Sequence, residues 1–466
     1  MDADQTNTDV ALNPACPGCV AAANRIAGLE ARIILLEQKL EAALRAGKRQ
    51  AAPFSRGLPK DNPKRPGRKK GNDYGTKAFR AAPPVIDEEY DAPLPERCPK
   101  CGGRVVASHV DHQYQAEIPR RPIYRQFNVA IGRCACCEGR VQGRHPLQTS
   151  DALGCCASQV GPDAQAAVVM LNKELGLSQG KISRVFQALF DIKLTRGGSC
   201  QVMLRAAQRC QENYQAIVKR VQQSPWIVPD ETGWRIGGHL AWMHVAVSEE
   251  AIAYLIARKR GIEGSALLIG EDYAGTLIHD GWSPYDRFWR AMHQTCIAHL
   301  LRRSHELLER ARGGAVIVPR KVKALLQESL EVRDLRDAGK ITPQAAAARA
   351  DELEARMKQL VTPVKTNAAN DRFCRHLFRH TKHLFTFLRH PGIDATNYRA
   401  EQAIRPAVVN RKVWGGNRTE TGAVAQSILM TVWFTTVKKG RDAMGFMSQV
   451  LRSPKSTRPR LLGGSG

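Results

Sequence analysis

Three acidic residues occupy positions in which a strongly basic chain has little reason to place acids. Asp230 follows the apolar run "IVP" and Asp280 follows "GTLIH", whereas Glu401 lies in the helical stretch "NYRAEQAIRPAVVNRK". Two aspartates and a glutamate can hold two divalent ions, one of which activates a water or 3′-hydroxyl while the other stabilises the leaving oxygen. Hard oxygen ligands favour Mg²⁺ or Mn²⁺. The three residues are therefore candidate catalytic ligands, although their order alone is a weak motif because the spacing is unconstrained.

The stretches around these acids predict the sheet that must bring them together. After Asp230, a Gly-Gly turn, two apolar runs, a helix near 262–272 and the run 275–282 predict the order strand, strand, strand, helix, strand. If the first and fourth strands lie side by side in a mixed sheet, Asp230 and Asp280 converge. Converging carboxylates repel one another unless a divalent cation lies between them.

A helix packed over that edge of the sheet would supply the third acid. Asn397, Glu401 and Arg405 recur at i, i+4 and i+8, so they share one helical face. Taken singly, each carboxylate is more often an N-cap or a solvated acid. The three acids together are informative because acids in apolar strands are unexpected in a chain with a strong excess of basic residues.

The overall composition favours a polyanionic partner. The 466 residues include 70 Lys or Arg against 44 acids, a formal net charge of +26. Such an excess is typical of proteins that bind nucleic acid or an anionic surface. No run approaches the roughly 18 apolar residues of a spanning helix, and the polar, acidic start is unlike a secretory signal. We expect a soluble, cytoplasmic protein that associates with DNA in the nucleoid and not with a membrane.

Four cysteines in two C-x-x-C pairs predict a structural Zn²⁺ site: Cys98, Cys101, Cys134 and Cys137. A two-residue spacer lets both thiolates of a pair face one tetrahedral ion while backbone N–H groups support them. The stretch that joins the pairs, 112–133, is rich in β-forming residues. In a large chain without a secretory signal, metal ligation is favoured over disulfides. Cys136 is interpreted as a bystander, and Cys16 and Cys19 stay unassigned.

The N-terminal region predicts a helix followed by a basic linker. Residues 22–46 carry apolar side chains at alternating three- and four-residue spacing, which favours coiled-coil pairing over a surface helix. Residues 45–80 are rich in Pro, Gly and basic residues and predict a disordered segment. Such a segment acts either as a solvated tether or as an arm that follows DNA phosphates. Its candidate DNA-binding residues are Arg65, Arg68, Lys69 and Lys70.

Residues 163–196 are predicted to be helical and to contain a helix-turn-helix. Gly176 would form the turn and Ser178 the N-cap of a second helix, with Lys181 and Arg184 facing outward. An ordinary helical hairpin fits the same pattern. A second basic stretch follows the helix of Glu401, and we interpret 411–422 as a loop that meets DNA phosphates. Its candidate DNA-binding residues, together with one on the helix itself, are Arg405, Arg411, Lys412 and Arg418.

Two further stretches lie in the C-terminal half. Residues 312–390 are rich in Ala, Leu, Lys and Arg and predict helices between the second aspartate and Glu401. Within them, "FCRHLFRHTKHLFTFLRHP" carries four histidines, which we interpret as a basic helix that meets phosphate or packs internally. The tail from residue 453 is predicted to be disordered and basic.

In this order, the pieces resemble a DDE transposase of the bacterial insertion sequence 66 family over nearly the whole chain. The resemblance rests on the heptad helix, the basic linker, the cysteine pairs, "DETGW", "HDGWSPY", "QTCIAHLLRR" and "NYRAEQAIRPAVVNRKVWGGNRTETGA". It implies a ribonuclease-H-like catalytic core with a helical insertion, and Asp230, Asp280 and Glu401 as the catalytic triad. Glu231 is then a neighbour. The family usually has Arg at the position of Gln402 and Tyr at that of Trp282.

The resemblance also implies partners and an accessory motif. Cys296 and His299 resemble the Cys-x-x-His element that follows the second aspartate in several transposase groups, and a strand-to-helix junction with a buried cysteine fits equally well. The expected partners are transposon ends and target DNA, further copies of the chain and companion proteins of the same element. The alternative function is a catalytically inactive, domesticated DNA-binding protein with the zinc module and helix-turn-helix.

Together these patterns predict a multidomain α/β protein. The expected divisions are a heptad helix at 1–46, a linker at 47–92, a zinc module at 93–147, a helical DNA-binding region at 148–222, catalytic core at 223–311 and 391–430, a helical insertion at 312–390, and a C-terminal helix and tail at 431–466.

Overall fold

The computed structural model describes residues 17–48, 82–116, 122–148 and 160–462. The chain divides into two units, Met1–Pro59 and Lys60–Gly466. In the first unit the described part is helix α1, Pro17–Lys48. Cys16 and the predicted DNA-binding residues of the linker lie outside the described residues, namely Arg65, Arg68, Lys69 and Lys70.

Helix α1 extends beyond the predicted 22–46 at both ends. Its apolar heptad side chains are about half exposed, including Ile26, Leu29, Ile33 and Leu36. An isolated helix cannot bury such a seam by itself, so the exposed seam fits the predicted pairing of two chains. That pairing stays a prediction.

Two short strands surround the second cysteine pair. Strand β1 (Ile131–Arg133) pairs antiparallel with β2 (Arg140–Gln142). The prediction of a β-rich connection at 112–133 is wrong for most of its described residues, because only Ile131–Arg133 finds a partner strand and the rest of the described stretch forms no ladder. β-forming residues alone do not make a strand when no neighbour supplies hydrogen bonds.

The main sheet has five strands. In chain order they are β3 (Trp226–Ile236), β4 (His239–Val247), β5 (Ile252–Ala257), β6 (Thr276–His279) and β7 (Met292–Thr295). Their spatial order is β5-β4-β3-β6-β7, with β3 parallel to β6, β6 parallel to β7 and the other pairs antiparallel. The predicted adjacency of the first and fourth strands is therefore confirmed, and the mixed sheet is compatible with a ribonuclease-H-like core.

Twelve further helices follow α1 within the described residues: α2 (Pro162–Lys173), α3 (Gln179–Phe190), α4 (Arg196–Gln222), α5 (Ile262–Ile269), α6 (Ile297–Arg310), α7 (Ile317–Asp337), α8 (Pro343–Val361), α9 (Ala368–His380), α10 (Thr386–Arg389), α11 (Tyr398–Trp414), α12 (Glu420–Lys438) and α13 (Ala443–Arg452). No helix in the described parts of the chain is long and apolar enough to cross a membrane.

The sheet buries both faces, and its strands alternate between two cores. Ile227 and Leu277 belong to the core shared with α2, α3, α4 and α13, whereas Val228 and Ile278 belong to the core shared with α11. This alternation follows from the two-residue period of a strand. Helices α6 to α10 enclose a separate core, so the predicted helical stretch 312–390 is helical and packs largely on itself.

Three boundaries differ from prediction. Residues 163–196 are not helical throughout, because Gly176 (φ +71°) and Asp191 (φ +51°) adopt left-handed backbone and end helices there. The predicted loop 411–422 begins as helix, since α11 continues to Trp414. The described part of the predicted tail, 453–462, packs on α4, where Asn213 bonds its backbone and two leucines are buried.

Candidate active site

The two aspartates occupy matched positions on neighbouring parallel strands. Trp226 pairs with Thr276 and Ile227 with Leu277, and continuing this register along both strands sets Asp230 beside Asp280. Asp230 lies on the same face as Val228, and Asp280 on the same face as Ile278, so both carboxylates face the side covered by α11. One expectation is corrected: β3 does not end at the acids but continues to Ile236, because it pairs with β4 in a hairpin.

Helix α11 brings the glutamate to the same edge. Asn397 precedes the helix as its N-cap residue, and Ala400, Ile404 and Ala407 pack on the sheet, so Glu401 falls in the first turn. Its side chain is 42% exposed, as a group at the rim of a cleft would be. Of the two residues predicted to share a helical face with Glu401, Asn397 is buried and Arg405 is exposed.

The electrostatic environment of Asp230 places the other acids of the site near it. Burial is the largest cause of a rise in the pKa of Asp230 to about 7, and the negative charges of Glu231, and then of Asp280 and Glu401, contribute to the same shift. The one opposing influence is a hydrogen bond of 2.9 Å from the Glu231 N–H to Oδ1 of Asp230. A carboxylate with this pKa binds protons near neutrality, or a cation in their place.

Glu231 is saturated by protein donors. Its Oε1 accepts hydrogen bonds from Nε and Nη2 of Arg260, at 3.2 and 2.9 Å, and its Oε2 accepts one from the Tyr285 hydroxyl at 3.1 Å. The guanidinium of Arg260 lies between the rings of Trp242 and Trp282, 4.8 and 4.9 Å from their centroids. Since both carboxylate oxygens are engaged, Glu231 is a neighbour of the site, as the sequence indicated.

The turn after β6 fixes the second aspartate. The Trp282 N–H donates to Oδ1 of Asp280 at 2.8 Å, and Gly281 between them has φ +88°, which favours glycine. Trp282, at the position where the family usually has Tyr, also contacts Tyr285 edge to face. The ring that departs from the family therefore covers Arg260.

Cys296 and His299 lie beside Glu401. Cys296 is fully buried and precedes α6 as its N-cap residue, so the strand-to-helix junction is what the sequence motif forms. Burial raises the pKa of its thiol, while the backbone N–H of Asn397 points at the sulfur. Nε2 of His299 is 3.4 Å from Oε1 of Glu401. His299 therefore holds the glutamate, and Cys296 links α6 to the start of α11.

The carboxylates do not by themselves form a closed ligand set. Among the described residues, no group of three or more His, Cys, Asp or Glu side chains is placed to hold a metal ion. Glu401 turns toward His299, and one oxygen of each aspartate accepts a backbone N–H.

The basic residues predicted to bind DNA fall into two groups. Exposed side chains belong to Lys181, Arg184, Arg405 and Arg418, and Lys412 is half-buried. Arg411 is half-buried, and its guanidinium binds the Gly233 carbonyl and the Thr232 hydroxyl of β3, which connects α11 to the sheet, so its contact with DNA stays a prediction.

Helices α2 and α3 are packed against the helix that carries Glu401. Nδ2 of Asn410 donates to the carbonyls of Asn172 and Lys173 at the end of α2, at 3.5 and 3.3 Å. Ser178 caps α3 by accepting the Lys181 N–H, as predicted. The exposed face of α3 is thus attached to the same scaffold as Glu401.

The two cysteine pairs form matching turns. In each, the first cysteine's N–H donates to the residue five positions on, Cys98 to Gly103 and Cys134 to Gly139, both at 2.9 Å. Backbone N–H groups lower the pKa of both first cysteines, which favours the thiolate. The sequences at 97–104 and 133–140 share the pattern R-C-x-x-C-x-G-R, so the two turns are a sequence repeat. Each pair is assembled, but the two pairs do not form one ligand group in this structure.

Several residues at the site were not anticipated. Arg260, Trp242 and Tyr285 surround Glu231, and His279 and His293 lie behind Asp280. The sequence offered a signal for His279, which directly precedes the aspartate. The others come from strands and turns whose mutual placement requires the fold.

Comparison with known proteins identifies the family of the chain. No curated protein matches the chain. Residues 157–425, more than half of the chain, match the Transposase IS66 family. The match begins before α2 and ends within α12, so it spans the sheet, both aspartates and Glu401. The chain therefore belongs to the IS66 family of transposases.

Proposed function

We propose that this protein cleaves insertion-sequence ends and joins them to target DNA by phosphoryl transfer at Asp230, Asp280 and Glu401. The observation that carries the proposal is the placement of the buried Asp230 of β3 near Asp280, just after β6, and Glu401 of α11: burial, together with the negative charges of Glu231, Asp280 and Glu401, raises the pKa of Asp230 to about 7. A buried carboxylate among other acids does not stabilise the fold at neutral pH, because burial and the neighbouring charges both oppose its ionisation. It suits a site that takes up cations.

The donor set fits Mg²⁺ or Mn²⁺. Carboxylate oxygens are hard ligands, and a divalent ion would neutralise the negative charges of Asp230 and of the acids that act on it. A bound pair of ions would activate a water or a 3′-hydroxyl and stabilise the leaving oxygen. In this proposal Asp230 and Asp280 hold the ions from the sheet, Glu401 rotates from His299 to complete the set, and Glu231 stays with Arg260.

Transposases act on DNA, and the surface around α11 supplies the charges that DNA needs. Lys181 and Arg184 on α3 and Arg405 on α11 are exposed and belong to packed helices of one scaffold. We assign these residues, with Arg418, to phosphates of the transposon end, and α2 and α3 to helix-turn-helix binding of that end. Lysine and arginine contacts to phosphate would make binding strongly dependent on salt.

The remaining assignments are proposals for the N-terminal part. The matching turns of the cysteine pairs support a Zn²⁺ site of four thiolates, completed when the pairs meet across one ion. The exposed seam of α1 supports pairing of two chains through a coiled coil. Paired chains would place two active sites on two transposon ends, and companion proteins of the element would join that complex.

A strand-transfer assay tests the proposed function. A pre-cleaved transposon-end duplex and a plasmid target are incubated with the protein, with and without Mg²⁺. We expect joined product only with the ion, and none with Asp280→Asn or Glu401→Gln, whereas end binding by both variants stays at the wild-type level. Asp272→Asn, an exposed carboxylate on the loop before β6, is the matched control and should join normally.

Other outcomes separate the alternatives. Cleavage without joining would indicate a metal-dependent nuclease. Tight end binding without cleavage or joining, even after companion proteins are added, would indicate the domesticated DNA-binding protein. Joining by Asp280→Asn would rule out the assignment of the carboxylates.

A further inference from the structure

Five histidines from distant parts of the sequence meet behind the turn that carries the second aspartate. The rings of His279 and His293 are 5.2 Å apart, those of His293 and His383 are 5.0 Å apart, and those of His376 and His380 are 4.8 Å apart. His279 is fully buried and His380 is 1% exposed. Within the described residues, no three of these side chains are placed to hold a metal ion.

Hydrogen bonds assign one tautomer to each of two rings. The Gly281 N–H donates to Nδ1 of His279 at 3.1 Å, so this nitrogen carries no proton and Nε2 of the same ring does. Nε2 of His279 is 3.0 Å from Nδ1 of His293, which must therefore accept. Nε2 of His293 then donates to the Phe288 carbonyl at 3.1 Å. The chain of bonds runs in one direction, and both rings are neutral.

This chain of bonds ends on the backbone of the catalytic turn. The N–H of Gly281 is held by His279, and the next N–H, that of Trp282, is held by the carboxylate of Asp280 at 2.8 Å. The His279 carbonyl accepts the Cys296 N–H at 2.7 Å, which ties the same residue to the start of α6. A Cβ atom at Gly281 would lie 3.2 Å from His376, so the turn has little room to shift on that side.

We propose that His279 and His293 are positioning residues for Asp280, acting as a neutral hydrogen-bonded pair that fixes the Gly281 N–H and thereby the direction of the carboxylate. This inference rests on the proposed function, since it assigns the pair to the transfer reaction. His279 is fully buried and His293 is 6% exposed, so neither ring is open to DNA. Their effect passes through two consecutive backbone amides.

The surroundings agree with neutral rings. Burial lowers the pKa of His293, and its other neighbours are the aromatic ring of His383 and the Phe288 carbonyl. The charged groups that act on the cluster are Asp280, Asp286, Arg303, Arg379 and Lys382. An additional proton on either accepting nitrogen would set two donors against each other and break the chain of bonds.

Two substitutions at His279 separate positioning from space filling. His279→Phe keeps a ring but removes the acceptor, whereas His279→Asn keeps a short acceptor and leaves a cavity. Positioning predicts that joining by His279→Phe falls about 100-fold, the cost of displacing a reacting group by about 1 Å, whereas His279→Asn stays within about tenfold of the wild type. Because His279→Asn leaves a cavity, we expect it to be less thermally stable than His279→Phe. His279→Asn should therefore be the more active variant and the less stable one.

Amide hydrogen exchange at Gly281 gives a readout that does not need catalysis. We expect exchange at this N–H to be about tenfold faster in His279→Phe, the loss of one hydrogen bond, and near the wild-type rate in His279→Asn. His383→Phe is the matched control, because it replaces a ring of the same cluster outside the chain of bonds, and it should exchange and join like the wild type. If His279→Phe does not fold, His293→Phe removes the acceptor for His279 and should slow joining more than the control does.

The outcomes distinguish this inference from the proposed function. A wild-type protein that joins no ends refutes the proposed function, and the Gly281 exchange rates still decide whether His279 fixes the turn. Exchange in His279→Phe equal to the wild type, or joining by His279→Asn as slow as by His279→Phe, would show that the rings only fill space.

Discussion

Arg260 binds Glu231 through two nitrogens, whereas Asp230, the next residue toward the N-terminus, faces Asp280 and Glu401. Two adjacent acids on one strand are thus separated by the period of the strand, which turns neighbouring side chains to opposite faces. One face carries the cluster of repelling carboxylates and the other carries an ion pair between two tryptophans. The sequence Asp-Glu by itself does not reveal which acid has which role.

The two acids should respond differently to neutralisation. We expect Asp230→Asn to reduce joining at least about 1000-fold, because it removes a proposed metal ligand and its charge. Glu231→Gln keeps the shape and one acceptor for Arg260, so joining should stay within about tenfold of the wild type. Rates of single-turnover joining measure both. Equal losses in the two variants would contradict the division of roles.

Asp230 should also make the stability of the metal-free protein depend on pH. Its pKa is raised from an ordinary value of 3.8 to about 7, so the folded state binds a proton more tightly than the unfolded chain does. The contribution of this bound proton to the stability of the folded protein is complete below about pH 4 and is lost as the pH rises through 7. Asp230→Asn removes this loss and should be more stable than the wild type by of order 3 kcal/mol at pH 8, and by less at pH 5.

Urea unfolding at both pH values, without divalent cations, measures this difference. Asp272→Asn makes the same change of charge on a side chain that is 87% exposed, so its stability should change little at either pH. If Asp230→Asn stabilised the protein more at pH 5 than at pH 8, the predicted pH dependence would be contradicted.

Gly176 joins α2 and α3 at a point where α11 leaves no space. Its φ is +71°, and a Cβ atom there would lie 2.5 Å from Oδ1 of Asn410. Gly176→Ala should therefore lower the free energy of unfolding by about 1–3 kcal/mol. Adding Asn410→Ala should relieve the steric part and leave the backbone strain. Gly197→Ala, in the first turn of α4 with open space around it, is the control and should cost nothing. Chemical denaturation compares all four proteins.

The sequence predicted the order of the main elements because local patterns encode them. Apolar runs separated by Gly-Gly and followed by a short helix are sufficient to place β3 to β6, and acids after apolar runs are visible without a structure. The end of β3 was missed because the stretch after Asp230 contains Glu, Thr and Gly, and only its pairing with β4 keeps it in the sheet. The prediction for 112–133 failed for a similar reason, because these residues have high β propensity but most of the described ones have no partner strand.

Contacts between distant residues could not be read from the sequence. His279 and His293 meet His376 and His380 only because the helical insertion folds back onto β6 and β7. The sequence left open whether the four histidines of the stretch 373–391 meet phosphate or pack internally, and three of them, His376, His380 and His383, pack internally. Arg260 reaches Glu231 across the hairpin of β4 and β5, and no spacing rule links positions so placed.

The cysteine repeat allows a matched test of the proposed Zn²⁺ site. Gly102 and Glu138 occupy the same position of the two turns, with φ of +73° and +55°, so the second turn places a glutamate in a backbone conformation that favours glycine. Glu138→Gly should stabilise that turn by about 1 kcal/mol without removing a ligand.

Titration with Co²⁺ should give a thiolate charge-transfer band in the wild type and in Glu138→Gly, with equal or tighter binding in the variant. Cys134→Ser should lose the band, whereas Cys136→Ser, which replaces the adjacent bystander thiol, should keep it. If the band depended on Cys136 and not on Cys134, the predicted set of ligands would be wrong. If a chelator left the proton NMR spectrum of the wild-type module unchanged, the two turns would be stable without metal.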